Sequence, residues 1–213
     1  MRNYRNNSDT LIVVLHEIYG FNSHITGVCQ ELADSGYDVV CPDLLEGKPC
    51  FDYAREEEAY RYFMNFVGFE AAAKKVTFLL RQEEGRYRRI FLLGYSVGAT
   101  VAWLCAVDSV KTDDNFRYGG SLVKCSGVLC LYGSRIRDYL DVSLKCSALL
   151  VFAEEENSFA PHALRAQLET MEGAEVHILK GKHGFADPNG PNYNEASARE
   201  AIRLIEEFTE RIK

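Results

Sequence analysis

The feature that most restricts this chain is the run Arg89-Ile-Phe-Leu-Leu-Gly94-Tyr95-Ser96-Val97-Gly98, continued by Ala99-Thr-Val-Ala-Trp-Leu-Cys-Ala106. The branched and aromatic residues at 89–93 predict a strand buried on both faces, and 99–106 predict a buried helix. Between the two, a serine sits two positions from a glycine on either side. A turn this tight forces its central residue into a strained backbone conformation, and glycines leave room because they carry no Cβ. The hydroxyl of Ser96 is then held above the sheet, with the first amides of the helix aimed at whatever it attacks. A plain strand–helix turn of a phosphate-binding fold is the rival reading. Neither G-x-G-x-x-G nor Gly-Lys-Ser/Thr is present, which disfavours a phosphate cradle.

The rest of the chain alternates in the same manner. Leu11–Leu15 is a continuous apolar run, expected of a central parallel strand, and it ends in His16-Glu17-Ile18-Tyr19-Gly20. A helix is predicted over 23–34, with Ile25, Val28, Cys29 and Leu32 on one face, stopped by Gly36. Further strands are predicted at 39–41, 127–132, 148–152 and 175–179. Helices are predicted at 54–66, 67–84 (with Gly68 as the break), 161–171 and 193–212. Residues 111–124 are polar and Gly-rich and predict a surface excursion. The pattern implies an α/β architecture, a mostly parallel sheet with helices on both faces and no large cap, in one domain over 1–213.

Composition excludes several classes of function. The net charge of −7 argues against nucleic acid or an anionic membrane as the main partner. No apolar run approaches the ~20 residues that span a bilayer. The polar N-terminus lacks the apolar core of a signal peptide. The seven cysteines are odd in number and contain no C-x-x-C pair, so they are expected to be reduced, mostly buried thiols in a cytoplasmic protein.

A serine hydroxyl needs a base, and the base needs a partner to fix its tautomer. In α/β-hydrolases these follow in the order serine, acid, histidine. His16 and His24 precede Ser96. His162 falls in the first turn of a helix beside Pro161, and His177 within a strand. His183 follows the last strand in Gly181-Lys-His183-Gly184, at the edge of the sheet where open α/β folds carry their ligands. It is therefore the expected base. The acid is expected after the strand 148–152, where Glu154, Glu155, Glu156 and Asn157 follow in succession.

Leu15-His-Glu-Ile-Tyr-Gly20, Gly94-Tyr-Ser-Val-Gly98, Leu131-Tyr-Gly133, the acidic turn ending in Pro161, and His183-Gly-Phe together resemble the dienelactone hydrolase family, over nearly the whole chain. The resemblance implies a hydrolase with Ser96 as nucleophile, where the founding enzymes have cysteine, and with His183 as base. It implies that the backbone amides of Ile18 and Val97 form the oxyanion hole. Glu17 matches a glutamate that contacts the nucleophile in the resting enzyme. The acid position departs from the family pattern. Counting forward from Ala153 places Glu156 there; counting back from Pro161 places Asn157. Glu156 is preferred, because a carboxylate stabilises the imidazolium formed during acyl transfer better than an amide does.

Tyr19, Phe21 and Tyr95 flank these segments and are candidates for either a substrate wall or core packing. Arg135 and Arg137 could grip a substrate carboxylate, although the position favours surface arginines paired with Asp138 or Asp141. Metal-ligand spacings such as H-E-x-x-H are missing, and ester hydrolysis by this route needs no cofactor. The expectation is a serine hydrolase acting on an ester, lactone or thioester of a small molecule through an acyl-Ser96 intermediate. Acyl transfer to an acceptor other than water would use the same residues. The irregular acid turn keeps a rival in view: a catalytically silent fold that binds a ligand or a protein. The sequence favours neither monomer nor homodimer.

Overall fold

Residues 1–48, 50–108, 110–111, 117–118 and 125–212 are described by a computed structural model of the chain. The first part of the chain forms β1 (Arg2–Tyr4), β2 (Thr10–Leu15), α1 (Ser23–Asp34), β3 (Asp38–Cys41), α2 (Glu56–Tyr62) and α3 (Phe69–Glu83). The second part forms β4 (Arg89–Tyr95), α4 (Val97–Ala106), β5 (Val110–Lys111), β6 (Arg117–Tyr118), β7 (Gly127–Leu131), β8 (Ser147–Glu155), α5 (Pro161–Leu168), β9 (Ala174–Lys182) and α6 (Glu195–Arg211). Apart from the antiparallel pair β5–β6, the predicted excursion at 111–124 lies outside the described residues.

Seven strands form one sheet in the order β1-β3-β2-β4-β7-β8-β9. All neighbours are parallel except β1, which pairs antiparallel to β3 at the edge. That strand was not legible in the sequence: three residues, Arg2-Asn-Tyr4, carry no apolar run.

Side chains alternate across the sheet and build two cores. Leu11, Val13, Leu92, Val128 and Leu150 face α3, α4 and α5. Ile12, Val14, Leu93, Leu129 and Val151 face α1 and α6. Both layers hide the central strands, which is why β2, β4 and β7 read as unbroken apolar runs. The helix expected at 54–66 is in three parts: a 3₁₀ turn Tyr53–Arg55, then α2, then a π-helical turn Phe63–Val67 that ends at Gly68 with φ 73°. No helix among the described residues is long and apolar enough to cross a membrane.

Two strands outrun their predicted ends. β8 continues through Glu155 and β9 through Lys182. Their pairing slips between Ala153↔Leu179 and Glu155↔Lys182, so two steps along β8 oppose three along β9. Such a bulge bends a strand and re-aims its side chains. Here it lies immediately before Glu156 and His183.

Candidate active site

Ser96 sits at the tip of the β4–α4 turn with φ 52° and ψ −114°, a conformation that costs a non-glycine residue of order 1–3 kcal/mol. The surroundings hold it there. Its amide donates to Leu131 O at 3.0 Å, tying the turn to the end of β7. A Cβ on Gly94 would lie 2.3 Å from Gly98 O, and one on Gly98 would lie 2.2 Å from Leu15 O. Both glycines are therefore demanded by the close approach of β4, α4 and β2.

The Ser96 hydroxyl lies 2.9 Å from His183 Nε2. On the other side of the ring, His183 Nδ1 is 3.0 and 3.2 Å from the two carboxylate oxygens of Glu156. With Glu156 ionised, Nδ1–H donates to it and Nε2 is left to accept from the serine. The side chain of Glu156 is 3% exposed and that of His183 37%. Burial alone would lower the imidazole pKa. The hydrogen bond and charge of Glu156, with smaller contributions from Glu17 and Glu56, outweigh it, and the net direction is up. Tyr132 supports the ring from behind, 5.1 Å between centroids, and itself packs on Phe185.

Of the two candidates for the acid position, the structure brings Glu156 to the histidine; Asn157 lines the same cavity beside it. Ile18 and Val97 also line this cavity, on opposite sides of Ser96 in sequence. Val97 opens α4, where backbone amides have no acceptor within the helix.

His16 has a structural role. Nδ1 donates to Glu17 O at 2.7 Å, and Nε2 accepts from Leu44 N at 2.9 Å. Burial lowers its pKa to about 4, so the ring is neutral and pins the loop after β2. Glu17 follows, 4% exposed, with its pKa raised from 4.5 to about 7 chiefly by burial and moderated by the charge of His183. Its carboxyl forms no ion pair among the described residues. The buried Tyr132 hydroxyl faces this carboxyl and moderates its pKa by hydrogen bonding, although the contact falls outside strict hydrogen-bond geometry.

The flanking aromatics divide. Tyr19 lines the cavity. Tyr95 does not: it is 5% exposed, packs edge-on against His24 at 5.0 Å, and belongs to the core on the α1/α6 side. The alternation of β4 puts it on the face opposite α4, and this corrects its candidacy as a substrate contact. Phe21 packs on His16 and Arg2, away from Ser96. Arg135 does reach the cavity, from a 3₁₀ turn at Ser134–Asp138, and also pairs with Asp138 at 3.1 Å, so both readings of it describe one side chain. His177 pairs with Glu175 at 2.9 Å, and His162 is exposed at the start of α5. Of the thiols, Cys29, Cys41 and Cys130 are buried, three are half-buried, and Cys50 is exposed.

Tyr53, Glu56, Tyr60 and Asp187 were not anticipated in the cavity of about 470 Å³ in front of Ser96. Tyr53 OH donates to Asp187 Oδ2 at 2.5 Å and accepts from Asn22 Nδ2 at 3.1 Å. Asn22 also caps α1, accepting from Ile25 N at 3.0 Å. Asp187 lies four residues past His183 in a run of tight turns, Gly184-Phe-Ala-Asp187-Pro, which was the one available signal.

A seven-stranded, largely parallel sheet with a serine on the strand–helix turn at its centre, and a histidine beyond its last strand, is an α/β-hydrolase fold without a large cap. The chain belongs to the Dienelactone hydrolase family, whose sequence profile matches residues 4–212. Over 202 residues it is 33% identical to the uncharacterized protein YczH of Bacillus subtilis, covering 94% of this chain and 92% of that one. Among solved structures it is similar to a dienelactone hydrolase-like promiscuous phosphotriesterase from metagenomic libraries, with TM-score 0.70 and 15% identity over 100% of this chain and 88% of that one. It is also similar to a thermophilic esterase of Thermogutta terrifontis, with TM-score 0.62 and 13% identity over 98% and 86% of the two chains. At such identities the two structures speak to the fold alone.

Proposed function

We propose that this hydrolase is a serine esterase that cleaves an ester, lactone or thioester of a small molecule through an acyl-Ser96 intermediate. One observation carries the reading: the unbroken line of contacts Ser96 Oγ–His183 Nε2 and His183 Nδ1–Glu156. His183 takes the serine proton as Oγ attacks the acyl carbon. The negative oxygen that develops is received by the amides of Ile18 and Val97, which need no reorganisation at that moment. Collapse breaks the bond to the leaving alcohol or thiol, which takes the proton from the imidazolium. Water then repeats the sequence on the acyl-serine and frees the acid. Glu156 stabilises the imidazolium in both halves and keeps the ring in the productive tautomer.

Treatment with a fluorophosphonate should add one mass increment, located on Ser96, and p-nitrophenyl acetate should be turned over with a burst. Failure to label, together with turnover of Ser96→Ala equal to that of the unaltered protein, would refute the proposal.

A further inference from the structure

The cavity in front of Ser96 has an acidic, aromatic wall that hydrolysis itself does not require. Five carboxylates line the cavity, against Arg135, Lys182 and His183. One of the five, Glu156, is held by His183. Arg135 is committed to Asp138 and to the Tyr60 hydroxyl, which accepts from it at 2.7 Å. Lys182 is exposed at the rim. Deep in the cavity lie Glu17 and Asp187, at 4% and 2% exposure, with Glu56 at the mouth. Glu17 is the telling member. It is buried, it lines the cavity, and among the described residues no cation lies within ion-pair distance of it; the neutral Tyr132 hydroxyl is its side-chain neighbour. A buried carboxyl is costly unless something pairs with it.

Beside these acids stand two aromatic rings. Tyr19 and Tyr53 meet edge to face, 4.8 Å between centroids at 66°. The hydrogen bond to Asp187 and the one from Asn22 fix the Tyr53 ring from its hydroxyl end. The Tyr19 and Tyr53 hydroxyls both feel the charges of Glu17 and Asp187, which push their pKa values up together with burial. Electron-rich ring faces and uncompensated carboxylates attract the same kind of group, a weakly hydrated organic cation.

We propose that, in the esterase reading above, this wall selects substrates bearing an alkylammonium group, and disfavours those bearing a carboxylate. Glu17, Tyr19 and Tyr53 would hold the cation, with Asp187 and Glu56 supplying the field around them.

The test compares three thioesters matched in size: acetylthiocholine, the uncharged 3,3-dimethylbutyl thioacetate, and S-acetyl-3-mercaptopropionate. Release of thiol is followed directly. We expect kcat/KM to fall in that order, with roughly tenfold between the first two, mostly in KM. Glu17→Gln and, independently, Tyr53→Leu should shrink the ratio of the first two to within about twofold, and the ratio cancels any general loss of activity. Equal rates for cationic and uncharged thioesters would overturn this inference and leave the esterase intact. Calorimetry of phenyltrimethylammonium with Ser96→Ala reads the wall without any turnover. Binding there supports the inference even if no thioester is hydrolysed, and lack of binding refutes it.

Discussion

Replacing Glu17 by Gln should change how stability depends on pH, by an amount that the burial of this carboxyl sets. The pKa of Glu17 is raised from 4.5 to about 7 in the folded chain. A raised carboxyl pKa means that the folded state holds the proton more tightly than the unfolded one does. The stability it confers is therefore complete below pH 4.5 and is lost as pH rises to about 7, beyond which the ionised group is a constant burden. At 1.36 kcal/mol per pH unit the loss is about 3 kcal/mol. Gln fills nearly the same volume and cannot ionise. Its stability relative to the unaltered protein should rise by about 3 kcal/mol from acid to mildly alkaline solution and then level off. Urea unfolding at a series of pH values measures this difference. Taking the difference between the two proteins removes the titration of all distant groups. A difference that stays flat across the range would show that the Glu17 carboxylate is well solvated, and would undo both the burial reasoning and the part given to Glu17 in cation selection.

The raised pKa of His183 places the acid limb of kcat/KM above the ordinary imidazole value of 6.5, since only the neutral ring accepts the serine proton. Glu156→Gln should move that limb to lower pH and reduce kcat roughly 10²–10⁴-fold; a pH–rate profile reads both. Gly98→Ala would put a Cβ 2.2 Å from Leu15 O, and should leave little folded protein in a solubility and circular dichroism assay, whereas Gly27→Ala, where a Cβ meets nothing, should be tolerated. A thiol reagent should modify Cys50 first in the native protein, and Cys50→Ser should remove that fast phase.

Much of the frame was written in simple periodicities. β2, β4 and β7 are hydrophobic because helices cover both of their faces, and their residues state this directly. The amphipathic α6 runs Glu195–Arg211, inside its predicted bounds, with Asn194 capping it by accepting from Ser197 N at 3.1 Å. The ends of β8 and β9 were hidden because they leave the covered part of the sheet. Glu154-Glu155 and Lys180-Gly-Lys182 are polar, so they read as turns, yet their backbones remain paired. The acid position was ambiguous for a different reason. Counting residues from Ala153 or from Pro161 gives different answers because the turn between them holds one residue more than the family spacing, and only the structure shows which side chain meets His183. Tyr95 misled for a related reason: adjacency to Ser96 in sequence says nothing about which face of β4 a side chain takes until the strand's alternation is anchored. The cavity wall from Tyr53 to Tyr60 was illegible, because an exposed acidic helix start looks the same whether it faces bulk water or a cleft.

The features that break local rules are gathered at one end of the sheet. Ser96 and Tyr132 are the positive-φ residues without glycine's freedom that lie on neighbouring strand ends, at 52° and 42°. Among the described residues, the fully buried Tyr132 hydroxyl has no partner at strict hydrogen-bond geometry, and the buried Glu17 carboxyl has no counter-ion within ion-pair distance. Asp38, by contrast, accepts from Asn6 N at 2.7 Å and from Tyr87 OH at 2.8 Å, and Thr209 Oγ1 donates to Ile205 O at 2.9 Å, while His24 Nε2 and Thr100 Oγ1 are buried without a partner among the described residues. Strain and unpaired polarity each cost of order 1–3 kcal/mol, and a chain of marginal net stability can carry them only where rigid surroundings over-determine the conformation. Here β2, β4 and β7, packed on both faces, supply that rigidity. Unpaired groups within a rigid cavity are positions where a bound molecule can complete what the protein leaves open, and this is why the same carboxyl that lowers stability at neutral pH is the one expected to recognise the substrate.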